Sequence, residues 1–440
     1  MRKGSFNYRY IFGISFISAL GGYLFGFDFA VISGALPFLQ KQFLLNAYWE
    51  GFATGVLALG AIIGCFVAGR VSDKYGRRPG LLSAAALFAL SFLAMAFAPT
   101  RNFFIIARFF AGIGVGMASM LSPMYIAEIS PAHLRGRMIA VNQLTIVLGI
   151  FITNLVNYSL RDSGDSAWRW MFGLGVIPAG LFLSGAMILP ESPRWLVKDG
   201  KHGRALAVLQ KIGDDTFVGD TLRDIERSLQ GVTRSNYGDA FKKGVLPAVL
   251  VGIGLAVFQQ FCGINTVFNY APKIFSSIGA SLNDQLLQTV FIGSVNVVFT
   301  ILAMLLVDRI GRKPLMLFGA GGLAILYIIV AQLLASGSSH VSWFLLASIG
   351  TYAMSLAPVT WVLIAEIFPT RVRGAAISIA VVSLWAAYFI LVFTFPILFE
   401  KLKDHTFYIY AGVCIIGLVF VFFKIKETKG KTLEEICDPY

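Results

Sequence analysis

Twelve stretches of the chain are apolar for long enough to cross a hydrocarbon layer. They run near 9–36, 51–69, 80–98, 102–125, 138–158, 168–189, 246–275, 286–306, 314–334, 343–365, 375–399 and 407–424. A bilayer core takes about 20 helical residues. A backbone facing lipid must satisfy its own hydrogen bonds, which a helix does and an open sheet does not. The pattern therefore predicts an all-α membrane protein with twelve transmembrane helices. Six precede and six follow one long polar stretch, 190–245. There, apolar and charged positions alternate at helical spacing, as at Arg204, Leu206, Val208 and Leu209, which predicts short amphipathic helices. The first apolar stretch runs past any usable cleavage site and holds an acid, so it reads as a retained span rather than a signal peptide.

The chain repeats itself. Residues 127–136 read AEISPAHLRG and 365–374 read AEIFPTRVRG; 72–78 read SDKYGRR and 307–313 read VDRIGRK. The offsets, 238 and 235, nearly agree. Two similar six-helix halves explain this, an architecture of secondary transporters. The expected organisation is an N-terminal bundle, 1–189, a cytoplasmic helical linker, 190–245, a C-terminal bundle, 246–424, and a tail, 425–440.

Charge adds direction. If the N-terminus is cytoplasmic, 28 of the 36 Lys and Arg fall on the cytoplasmic side and six (Lys41, Arg101, Arg161, Lys273, Lys401, Lys403) on the other. The positive-inside rule then puts both termini and the linker in the cytoplasm. Charged residues are only 13% of the chain and mean hydropathy is +0.75, too apolar for a soluble surface. The net charge of +13 flanks the spans, so it reflects topology and membrane lipid, not nucleic acid. Cys65, Cys262 and Cys414 lie in apolar stretches and Cys437 in the tail, with no metal spacing. No cofactor, P-loop or nucleophile–base set is evident, and His133, His202, His340 and His405 fall at or near loops, so an enzyme is not expected.

Acids and bases recur at the cytoplasmic helix ends: Asp73, Arg77 and Arg78, with Gly76 at the bend; Asp308, Arg312 and Lys313; Glu128 and Arg135; Glu366, Arg371 and Arg373. They either signal topology and touch headgroups, or pair across the halves to close the cytoplasmic side in one state. Their recurrence in both halves favours gating.

With these motifs in hand, the chain resembles the sugar porter family of the major facilitator superfamily. The resemblance rests on GRVSDKYGRR (69–78), PESPRWL (190–196), VDRIGRK (307–313), AEIFPTRVRG (365–374) and, less well, KETKG (426–430), where the family usually has Pro at the position of Lys426. GIGVGMASMLSPMYIAEISPAHLRG (112–136) is especially similar to proton-coupled bacterial members. The resemblance implies a two-bundle fold working by alternating access. It adds Glu191 and Arg194 to the gating set.

Ionisable groups inside a span are functional hypotheses by default. Asp28 in span one and Arg108 in span four both fall in the outer half, where they can pair. Chemistry alone leaves two readings, a permanent ion pair or a carboxylate that binds a proton when it loses its Arg. The resemblance favours the second, because an acid at this place marks proton-coupled members whereas facilitators have Asn. Asp28 is then the proton carrier and Arg108 tunes it. Such members also carry a Glu in span six where this chain has Gly175.

A sugar offers hydroxyls and apolar ring faces, so a neutral site pairs amides with aromatic rings. Span seven, FQQFCGINTVFNYAP, supplies Gln259, Gln260, Asn265, Asn269 and Tyr270, with Gly263 marking a break; span five adds Gln143 and span eight Asn296. A single amide more often bonds helix to helix; this many favour a polar cavity. The resemblance implies that Gln143, Gln259, Gln260, Asn265 and Asn296 bind sugar hydroxyls and that Phe25, Tyr270, Trp361 and Trp385 form aromatic walls. Asn269 and Leu384 depart from the family's usual Tyr and amide. The expectation is proton-coupled symport of an aldohexose or aldopentose by a monomer in a bacterial inner membrane. An uncoupled facilitator and a transport-dead sensor are the alternatives.

Overall fold

The computed structural model describes residues 6–230, 241–242, 245–368 and 372–429, without the side chains of 229, 230, 308 and 365. The Asp308 side chain, Arg371, Cys437 and most of the tail thus lie outside the described residues. Among the described residues the chain is helical, with one isolated bridge between Phe6 and Gly213 and no strand.

The helices are α1 (Tyr8–Phe43), α2 (Ala47–Tyr75), α3 (Arg77–Ala96), α4 (Arg101–Ile129), α5 (Ala132–Ser159), α6 (Ala167–Gly173) and α7 (Val176–Ile188). The polar stretch forms α8 (Pro193–Lys198), α9 (His202–Ile212) and α10 (Asp215–Gln230). Then follow α11 (Leu246–Phe261), α12 (Ile264–Ser276), α13 (Leu282–Ile310), α14 (Arg312–Ala335), α15 (Val341–Met354), α16 (Leu356–Glu366), α17 (Arg373–Leu402) and α18 (His405–Lys424). They make twelve segments long and apolar enough to span a membrane, each over a stretch the hydropathy pattern marks.

Three spans are broken. Span seven divides between α11 and α12 at Gly263, whose φ of 86° suits a residue without Cβ. The Tyr410 ring fills the place a Cβ would take. Span ten divides between α15 and α16 at Ser355 (φ −125°, ψ −85°). Pro358 follows three residues later; its ring opposes a helical carbonyl at Met354. Span six turns at Leu174 and Gly175.

By compactness the chain divides into two units. One holds 1–28, 60–149 and 172–234; the other holds 29–59, 150–171 and 235–440. The division runs through α1, α2, α5 and α6, so the second unit combines one end of each with α11–α18. In the first unit, α2 and α4 meet backbone to backbone, with Gly60 against the Phe109 carbonyl and Gly116 against that of Ala61. Small residues permit such approach where lipid supplies no hydrophobic drive. The amphipathic helices dock there too: Leu209, Ile212 and Val218 pack on Ile11 and Leu134, and Trp195 and Leu196 pack on Ala205. In the second unit the buried Asn154 amide donates to the Thr289 carbonyl at 2.8 Å, tying α5 to α13.

Candidate functional site

Asp28 and Arg108 are completely buried and adjacent, as expected. Arg108 Nη1 lies 3.2 Å from Asp28 Oδ1, and Nη2 reaches the Asp28 carbonyl at 3.5 Å. The guanidinium also faces the Phe172 ring, 5.9 Å away. The pairing is incomplete: Asp28 Oδ2 and Arg108 Nε are buried without a hydrogen-bond partner. An Arg–carboxylate pair at full strength is bidentate. Here one carboxylate oxygen can accept a proton without breaking a bond.

At Gly175 the packing leaves no room for a longer side chain. A Cβ there would come within 2.7 Å of the Phe27 ring and 2.9 Å of Phe92. Those rings pack edge to face at 5.2 Å and occupy the space.

In the second unit the break in span seven gathers the amides. Gln260 Nε2 donates to Gln259 Oε1 at 3.3 Å, and Asn265 Nδ2 donates to Gln260 Oε1. Gln259 Nε2 reaches the carbonyls of Leu356 and Ala357, both at 3.4 Å, just after the break in span ten. Two broken helices thus face each other across one glutamine. Asn269 Nδ2 donates to the Asn265 carbonyl at 2.7 Å and to the Tyr388 hydroxyl at 3.1 Å. The Tyr388 ring meets Phe29 at 5.4 Å and Trp385 at 5.8 Å. Asn269, read as a departure from the family, is therefore a buried link between the amides and an aromatic group. Tyr388 has no amide neighbour in sequence and lies 119 residues from Asn269, so only the fold reveals it.

The remaining expected residues are placed as follows. Asn296 is buried in α13, and Trp385 and Leu384 are buried in α17. Tyr270 is buried, stacks on Phe395 at 5.0 Å and donates to the Val392 carbonyl. Trp361 is 45% exposed and has no described contact with the amide chain. Phe25 and Gln143 are half-buried in the first unit. Beside Gln143, the buried Asn142 leaves Oδ1 unpartnered, a polar position that sequence reading passed over. Asn157, the first residue of an Asn-Tyr-Ser triplet, is fully buried and donates to the Ala30 carbonyl, so it is closed to glycosylation.

Among the described residues, each unit shows charged-motif pairs of its own. In the first, Arg77 Nε and Nη2 grip both oxygens of Glu128 at 2.8 Å. Ser192 Oγ donates to the same carboxylate. Glu191 accepts the backbone N–H groups of Arg77, Arg78 and Ser192. Its carboxylate fills the space beside Gly76, whose φ is 104°. Burial pushes the Glu191 carboxyl up, outweighing these donors. Asp73 meets Lys198 at 3.3 Å, and Arg78 donates to the Met187 carbonyl.

The second unit repeats the corner. Glu427 accepts from the backbone of Arg312 and Lys313, both at 2.9 Å, beside Gly311 with φ 105°. Burial raises its carboxyl, but four backbone donors outweigh this and hold it below the ordinary range. Glu427 is therefore the counterpart of Glu191, a match sequence reading did not make. Arg312 reaches Glu366 through one contact at 3.4 Å. Arg135 donates to the Ala127 carbonyl and Arg373 to that of Phe368, while Arg194 is exposed on α8.

A family model described as "Sugar (and other) transporter" matches residues 14–439. The chain is 38% identical to the D-xylose-proton symporter of Escherichia coli K12, over 98% of this chain and 96% of that one. It is 37% identical to the arabinose-proton symporter of Bacillus subtilis, over 98% and 95%. The fold is similar to the partially occluded inward open conformation of the E. coli xylose transporter XylE, with a TM-score of 0.86 at 36% identity over 96% of this chain and all of that one.

Proposed function

Because the chain belongs to the sugar transporter family of the major facilitator superfamily, we propose that it is a proton-coupled monosaccharide symporter working by alternating access. The substrate is an aldohexose or aldopentose. The relatives named as proton symporters of xylose and arabinose support this class.

The observation that carries the coupling is the half-satisfied pair in α1 and α4. Asp28 has one oxygen on Arg108 and one buried oxygen free to take a proton. A proton on the free oxygen neutralises Asp28 and so weakens its hold on Arg108; sugar and proton then move in one cycle. With Gly175 walled in by Phe27 and Phe92, coupling rests on Asp28. The sugar hydroxyls are met by Gln259, Gln260, Asn265 and Asn296, with Gln143 contributing from span five. Phe25, Tyr270, Trp361 and Trp385 supply the apolar walls. Hydrogen-bonding amides suit a cargo that must also leave, since they bind without desolvating an ion.

The distribution of Lys and Arg supports cytoplasmic termini and a cytoplasmic α8–α10. The helix ends bearing Arg77 and Arg312 are then each cytoplasmic, and the Arg77, Arg78, Glu128, Arg135, Glu191, Arg194, Asp308, Arg312, Glu366 and Arg373 set, with Asp73, governs closure of the cytoplasmic side. We read the carrier as a monomer with two six-helix halves, 1–189 and 246–424, in a bacterial inner membrane.

The test is Asp28→Asn in proteoliposomes. Uphill sugar uptake driven by a proton gradient disappears, while sugar exchange at equal concentrations continues. Uphill uptake by this variant would remove Asp28 from the proposal. Wild-type uptake unaffected by a protonophore would make the protein a facilitator.

A further inference from the structure

We infer that Glu50 and Lys273 form a latch that makes closure of the outer end conditional on both charges being present; this rests on the alternating-access reading above. Glu50 is in the first turn of α2, and Lys273 is in α12, beyond the break at Gly263. Lys273 Nζ donates to Glu50 Oε2 across 223 residues of sequence. The Glu50 side chain is 1% exposed and that of Lys273 23%. Lys273 is the cation described on this carboxylate, and the neutral Gln40 side chain also acts on it. The other carboxylate acting on it is that of Glu400, exposed at the end of α17, which adds negative charge.

The seam around the pair is tightly shut. A Cβ on Gly51 would stand 2.2 Å from the Phe393 carbonyl oxygen, and one on Gly55 would stand 3.1 Å from the Phe389 ring. Tyr48 meets Phe393 edge to face at 5.3 Å. Opening toward the outside has to draw α2 away from α12 and α17.

The energetics of such a pair are asymmetric. Two charges buried together roughly break even against their hydration in an open state, whereas one charge buried alone is strongly disfavoured. The intact pair therefore permits closure without forcing it. Loss of Lys273 alone strands Glu50 and opposes closure. Loss of both charges permits closure again. Apolar contacts alone would give no such non-additivity.

The experiment measures distances by pulsed spin-label spectroscopy in lipid nanodiscs, with labels at Leu44→Cys and Ser276→Cys. Both positions are exposed at the ends of the two helix pairs concerned. Cys437→Ser removes the tail thiol; the other three cysteines are buried. Lys273→Met is expected to raise the ratio of separated to closed populations at least tenfold, about 1.4 kcal/mol. Glu50→Gln combined with Lys273→Met returns the ratio to within threefold of wild type, as does the swap Glu50→Lys with Lys273→Glu. An unchanged ratio in Lys273→Met overturns the latch, as does a double variant as open as the single. Sugar exchange by wild type is measured alongside. If no monosaccharide is exchanged, the transport proposal fails, while the distances still decide the latch.

Discussion

Arg77 and Arg312 are sequence repeats, but their surroundings predict unequal consequences of losing them. Arg77→Met removes two charge-assisted hydrogen bonds to Glu128, both 2.8 Å, and a third to the Ser72 carbonyl. The Arg77 and Glu128 side chains are each 10% exposed, so the variant leaves Glu128 in a nearly dry site without its cation, with Ser192 as the remaining described partner. Truncating a buried pair costs about 3–5 kcal/mol. Residual access to water sets the expectation at the lower end, about 3 kcal/mol. Among the described contacts, Arg312→Met removes a looser acid contact, 3.4 Å to Glu366 with the two side chains 14% and 23% exposed, and a bond to the Val307 carbonyl. That loss is about 1 kcal/mol, in the range of accessible pairs. Hydrogen exchange reads the difference locally. Ser192 and Glu191 join Arg77 to the start of α8, so exchange over residues 189–199 should accelerate about a hundredfold in Arg77→Met, as about 3 kcal/mol requires. Exchange around Glu427 should rise tenfold or less in Arg312→Met. Equal acceleration at the two corners, or intact protection of 189–199 in Arg77→Met, would refute the idea that burial and bidentate geometry set the strength of this motif.

Gln260→Ala breaks the chain from Gln259 to Asn265 and should weaken monosaccharide binding at least tenfold, measured by calorimetry on purified protein; affinity within twofold of wild type would put the sugar elsewhere. Asn269→Leu removes the support of Tyr388 while leaving Gln260 in place, so it should weaken the same binding by less than Gln260→Ala does. The two capping acids should respond oppositely to pH. The Glu427 carboxyl is held low, so its contribution is full above the unfolded value, about 4.3, and is lost as pH falls through the lower folded value. The Glu191 carboxyl is raised, so its contribution is full below about 4.3 and declines as pH rises through the higher folded value. Infrared titration with Glu191→Gln and Glu427→Gln as references checks the order; protonation of Glu427 before Glu191 on acidification would contradict it.

Hydropathy located all twelve spans because lipid imposes one rule on every residue of a span. The break at Gly263 was legible too, since a glycine between polar positions in an apolar helix has few other uses. The break at Ser355 was not. Pro358 was visible, but Pro37, Pro123 and Pro396 sit inside unbroken helices, so proline alone does not mark a break. Asp28 and Arg108 were legible as a pair because depth in the membrane follows from span direction, and two opposite charges at one depth are expensive unless they meet. Charges at span ends give no such warning. Lys273 reads in sequence as an ordinary outer-side charge and Glu50 carries no signal of its own, since a charge near the headgroups costs little by itself. Only packing of α2 against α12 and α17 takes Glu50 out of water and turns a cheap charge into one that requires its partner. The same holds for Asn269, whose amide reads as a gap in an aromatic wall until the fold brings the Tyr388 hydroxyl within 3.1 Å. What sequence concealed here is not residue type but dielectric surroundings, which arise from contacts between distant segments and decide whether a polar group is decoration or constraint.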